Sequence, residues 1–108
     1  EHIVQEFISY SKQEKFIPIF VFLPQKDDVI YVKNNFYFYK DFADSLYKKE
    51  NLIFIDMMEH FLEISNLDEY YSDDNQYGGH YSKIGNEKIS EIIFNKLMSF
   101  ESTKKYFQ

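Results

Sequence analysis

The chain has 108 residues, 44% of them hydrophobic and 20% aromatic, a composition that fits a single domain spanning 1–108 with a modest core and excludes a disordered chain. Its formal net charge is −6 and every basic residue is Lys, so a phosphate-tracking surface, and with it a nucleic-acid partner, is not expected. No apolar run reaches the roughly eighteen residues of a membrane span, the first residues lack a signal-peptide layout, and the absence of Cys removes thiolate metal sites and Cys nucleophiles while leaving the compartment undecided.

From Glu1 to Lys15, Ile3, Val4, Phe7, Ile8 and Ser11 recur at helical spacing with Gln5, Glu6, Lys12 and Glu14 on the other side, which predicts an amphipathic helix. "FIPIFVFLP", Phe16 to Pro24, is a continuous apolar run stopped by proline, the pattern of a parallel strand covered on both faces. Pro18 cannot donate to a ladder and belongs at the strand's start or on an unpaired side. Between Asp27 and Glu50 the positions Val32, Phe36, Tyr39, Phe42, Ala43, Leu46 and Tyr47 follow a period of about 3.6, which predicts one long or slightly broken helix with the aromatics on its core face. An alternative for "NNFYFYK" is a surface that binds a sugar or a partner.

"NLIFID", Asn51 to Asp56, is a second strand, and Asp56 with Glu59 forms a capping box for the helix of Met57, Met58, Phe61 and Leu62. His60 on that helix and His2 in the first helix have no partner at metal-ligand spacing. Ser82 is a natural N-cap for a last helix carrying Ile89, Ile92, Ile93, Leu97 and Phe100. The final "ESTKKYFQ" is expected to fray.

Alternation of this kind predicts α/β architecture. Two strands make a small sheet, since a strand apolar on both faces needs edge neighbours. The expectation is therefore that further strands come from an upstream half or from another chain, including a second copy of this one.

All three glycines fall in "YSDDNQYGGHYSKIGN", Tyr71 to Asn86. Loops at the carboxyl ends of parallel strands carry the chemistry of such sheets. His80 follows Gly78 and Gly79 and precedes a helix start, which suits a positioned general base, with Asp73 or Asp74 near enough in sequence to orient the imidazole. The plainer alternative is a solvated loop in which the aspartates cap a turn and His80 only packs. A calcium loop starting at Asp73 fails, because its twelfth position is Ile84 rather than Glu.

"GGHYSKIGNEKISEIIFNKL", Gly78 to Leu97, resembles the last conserved block of the SGNH (GDSL-like) hydrolases and acyltransferases, with a catalytic His in a loop, then Gly-Asn and an amphipathic helix. The two apolar strands resemble the last strands of that family's three-layer α/β/α, flavodoxin-like fold. The resemblance implies His80 as general base acting on a small-molecule or carbohydrate acyl ester, with no cofactor. The family's Asp stands three residues before the His, where this chain has Tyr77, so Asp74 or Asp73 would have to replace it. The family's nucleophilic Ser and oxyanion Gly and Asn lie in blocks with no counterpart here, so the chain alone is expected to be inactive. The alternative is a non-catalytic α/β interaction module or degenerate hydrolase fragment.

Overall fold

The structure, a computed structural model, describes residues 2–72 and 79–107. In chain order these form α1 (His2–Glu14), β1 (Ile19–Phe22), α2 (Lys26–Asn34), α3 (Lys40–Tyr47), β2 (Ile53–Asp56), α4 (Met57–Phe61), a 3-10 turn (Leu67–Tyr70), α5 (Lys83–Met98), α6 (Glu101–Lys104) and a 3-10 turn (Lys105–Phe107). The protein is a mixed α/β chain, mostly helical. No helix among the described residues is long and apolar enough to cross a membrane.

β1 and β2 pair in parallel, with Ile19 opposite Ile53 and Phe22 opposite Asp56. Side chains alternate across the sheet, and the two faces differ in kind. Ile19, Val21, Ile53 and Ile55 pack with Val29 and Val32 of α2, with Met58 and Phe61 of α4 and with Ile89 of α5. Phe20, Phe22 and Phe54 face the other way, against Val4 and Ile8 of α1 and Ala43 and Leu46 of α3. Helices thus cover both faces of the pair. Pro18 precedes β1 as its missing N–H requires, and its carbonyl accepts the Ile53 N–H at 3.0 Å.

Three expectations are corrected. All four β2 residues are buried, but all four β1 residues are only half-buried, so β1 is less covered than its apolar sequence suggested. The helix predicted as long or slightly broken is two helices separated by residues 35–39: the Asn35 N–H and side-chain amide both bond back to the Tyr31 carbonyl, at 2.9 and 3.1 Å, and end α2. The residues that follow alternate, Phe36 and Phe38 outward and Tyr37 and Tyr39 half-buried, a two-residue period that a helix cannot accommodate. The described part of the tail, 101–107, does not fray either. Thr103 is buried, its hydroxyl donates to the Leu97 carbonyl at 2.5 Å, and Phe107 packs on Phe94 at 5.3 Å.

Candidate active site at the carboxyl ends of the strands

The loop that carries His80 is closed at its base. Tyr71 and Tyr81 form an antiparallel bridge, the Ser72 N–H donates to the His80 carbonyl at 2.8 Å, and the Ser82 N–H donates to the Tyr70 carbonyl at 2.9 Å. The Tyr71 and Tyr81 rings stack at 4.9 Å, and both hydroxyls donate to one acceptor, the Pro24 carbonyl, at 2.8 and 2.6 Å. Pro24 lies just beyond the carboxyl end of β1. The loop is therefore tied to the end of the sheet at which parallel α/β folds bind ligands.

Both hydroxyls are held protonated. Burial, helped by the Asp28 charge, pushes Tyr81 up to about 12. Burial and the neighbouring Tyr81 raise Tyr71 as well. A protonated phenol can donate to a carbonyl and a phenolate cannot, so the tether persists throughout the neutral range.

The exit from the loop is equally defined. Ser82 caps α5, its Oγ accepting the Gly85 N–H at 3.0 Å while its hydroxyl donates to the Glu69 carbonyl. Gly85 is buried against the Tyr70 backbone, and a Cβ there would stand 2.1 Å from the Tyr70 carbonyl oxygen. Only glycine permits this approach. His80, two residues before the cap, is an exposed side chain on a backbone pinned from both sides. Asp73 and Asp74, the candidate orienting carboxylates, lie outside the described residues, as does Gly78.

A second polar cluster, which sequence reasoning missed, stands at the end of β2. Asp56 is buried and caps α4, one carboxylate oxygen accepting the Met58 N–H at 3.0 Å and the Tyr39 hydroxyl at 2.7 Å; the other accepts the Tyr37 hydroxyl. The predicted cap is present. Glu59, expected to complete a capping box, stands instead beside the Tyr47 hydroxyl, and burial together with the Glu59 charge pushes Tyr47 up to about 12. Burial first, then the adjacent Tyr37 hydroxyl and the Asp56 carboxylate, also raises Tyr39. The available signal was the alternation in "FYFY", which sends both tyrosines inward. With three donors on its oxygens Asp56 anchors structure, joining the start of α4 to the segment between α2 and α3.

His60 packs between the rings of Phe61 and Tyr70, at 5.9 and 6.4 Å, and its Nε2 is buried without a hydrogen-bond partner among the described residues. His2 pairs with Glu6 at 3.0 Å. No group of side chains among the described residues is arranged to hold a metal. A cavity of about 360 Å³ is lined by Val21, Phe22, Leu23 and Pro24 together with Phe38 and Met58. Val21 and Phe22, the last two residues of β1, meet the same space although their side chains alternate, so this cavity follows the edge of β1 and ends at Pro24, whose carbonyl holds the His80 loop.

Comparisons with models of known protein families, with characterised proteins and with solved structures find no match.

Proposed function

We propose that this chain is the His-bearing, C-terminal part of an ester hydrolase or acyltransferase of the SGNH type, in a three-layer, flavodoxin-like α/β/α fold. The observation that carries the reading is the double tether of the His80 loop, through Tyr71 and Tyr81, to the carboxyl end of β1. A general base must be held within hydrogen-bond reach of the proton it takes, and the Ser82 cap and the Gly85 contact supply that rigidity.

In the proposed reaction a serine from an upstream block attacks the carbonyl carbon of an acyl ester. His80 accepts the serine proton and returns it to the departing alkoxide, which leaves as the alcohol. The acyl-serine then passes its acyl group to water or to a sugar hydroxyl, with His80 taking the proton of that nucleophile and returning it to the serine. Asp74 or Asp73 holds the second imidazole nitrogen.

The half-buried edge of β1 favours a second reading, a non-catalytic α/β module completed by strands of a partner. One experiment separates the two: ester hydrolysis by the complete protein, wild type against His80→Ala. The enzyme reading expects activity to fall by about a hundredfold to ten-thousandfold with folding retained. Unchanged turnover removes His80 from the reaction, and absence of turnover in the wild type favours the module.

A further inference from the structure

The break between α2 and α3 leaves an aromatic group on the surface. Because Tyr37 and Tyr39 turn inward to Asp56, Phe36 and Phe38 are turned out, 62% and 50% exposed, and they join Tyr31, 44% exposed. The Tyr31 ring meets Phe36 at 5.9 Å and 69° and Phe38 at 5.7 Å and 78°. These near-perpendicular rings form walls. An open hollow of about 520 Å³ beside them is lined by Tyr31, Phe38, Asp27 and Asp28.

The charge in this hollow is uncompensated by the neighbouring lysines. Lys26 Nζ pairs with Asp68 at 2.5 Å, Lys33 Nζ donates to the Ile64 carbonyl at 3.1 Å, and Lys40 Nζ pairs with Asp44 at 3.2 Å. Asp28 accepts the Gln25 N–H at 3.2 Å, and among the described residues neither Asp27 nor Asp28 forms an ion pair. Two carboxylates and two aromatic walls therefore share one open space, and none of the described residues that line it is a cation.

That combination selects by charge and by hydration. An anion is repelled, and a neutral apolar molecule gains nothing from the carboxylates. A compact, strongly hydrated cation needs only the carboxylates and loses solvation against the rings. A weakly hydrated alkylammonium gains from both, because its diffuse charge is attracted to ring faces while the carboxylates supply net opposite charge. We infer that the hollow bounded by Asp27, Asp28, Tyr31 and Phe38 is a binding site for an organic cation of the alkylated ammonium class. Asp28 and Phe38 also line the cavity that ends at Pro24, so the bound cation stands on the same rim as the His80 loop. The inference holds whether or not that loop is catalytic.

The test is an NMR titration with choline chloride, read at the ring protons of Tyr31 and Phe38. Sodium chloride at equal ionic strength serves as one control. The neutral carbon isostere, with tert-butyl in place of trimethylammonium, serves as the other. The expected result is saturable movement of both rings, with choline binding about fivefold or more tightly than its isostere. Asp27→Asn and Tyr31→Ala should each weaken choline binding by a similar factor. Asp27 is exposed on the first turn of α2, so Asp27→Asn leaves the core untouched and keeps the test valid even where Tyr31→Ala disturbs folding. Equal affinity for choline and its isostere overturns the inference, as do ring shifts no larger than those from salt. So does binding that survives Asp27→Asn unchanged. None of these outcomes involves ester hydrolysis, so failure here leaves the His80 proposal to its own test.

Discussion

Gly85 stands against the backbone of Tyr70 so closely that the Cβ of any other residue would come within 2.1 Å of the Tyr70 carbonyl oxygen and 2.9 Å of its carbonyl carbon. The obstacle is main chain, which cannot rotate away as a side-chain tip would. Gly85→Ala should therefore destabilise the protein by about 1–3 kcal/mol or more, by forcing α5 away from the 3-10 turn. Urea unfolding would register this as a lower midpoint with an unchanged slope; an unchanged midpoint would mean that the helix start shifts freely.

The two hydroxyls on Pro24 predict non-additive behaviour. Removing one by Tyr71→Phe or Tyr81→Phe leaves the buried carbonyl with the other donor and should cost about 0.5–1.5 kcal/mol. The double variant strands the carbonyl, at a further cost that brings the total above the sum of the single effects. A double-mutant cycle by chemical denaturation measures the excess. Strict additivity would indicate that water replaces the lost donors.

Alkaline pH should weaken the fold. Burial lifts the folded-state values of Tyr47 and Tyr81 from 10.0 to about 12, so between these values the folded chain holds protons that the unfolded chain has released. Their contribution is fully present below about 10 and is lost as pH rises from there toward about 12. Tyr37, Tyr39 and Tyr71 shift in the same direction. Ultraviolet titration of tyrosinate should accordingly show Tyr37, Tyr39, Tyr71 and Tyr81 ionising only together with unfolding. One simple titration of all ten tyrosines would contradict this burial pattern.

Asp56→Ala removes an acceptor from two tyrosine hydroxyls and the Met58 N–H. A loss of about 2–4 kcal/mol is expected, since hydrogen bonds to a charged group are stronger than neutral ones and the stranded hydroxyls are partly buried. Asp56→Asn keeps shape and one acceptor oxygen and should lose less. Thermal unfolding ranks the two; equal losses would mean that the amide cannot satisfy either tyrosine.

Within the proposed reaction, Asp74→Asn is expected to slow ester hydrolysis by the complete protein more than Asp73→Asn, in line with the resemblance that puts a carboxylate before His80. The kcat of each variant decides. Equal and negligible effects would leave a backbone carbonyl or another residue to orient the imidazole.

Local order was readable from the sequence because its causes are local. The helical spacing of Val4, Ile8 and Ser11 marks α1, the runs ending at Pro24 and Asp56 mark the two strands, and Ser82 and Asp56 cap their helices as side-chain chemistry requires. His80 stood out because glycines and a cap surround it. The tertiary structure alone decided which distant groups meet. Tyr71 and Tyr81 reach Pro24 across 47 and 57 residues of chain, and Tyr37 and Tyr39 reach Asp56 across 19 and 17. No periodicity encodes such pairings, since a phenol satisfies its hydroxyl with any acceptor that packing brings within reach. Packing also split the predicted helix at Asn35, where burying Tyr37 and Tyr39 turned Phe36 and Phe38 outward to Tyr31.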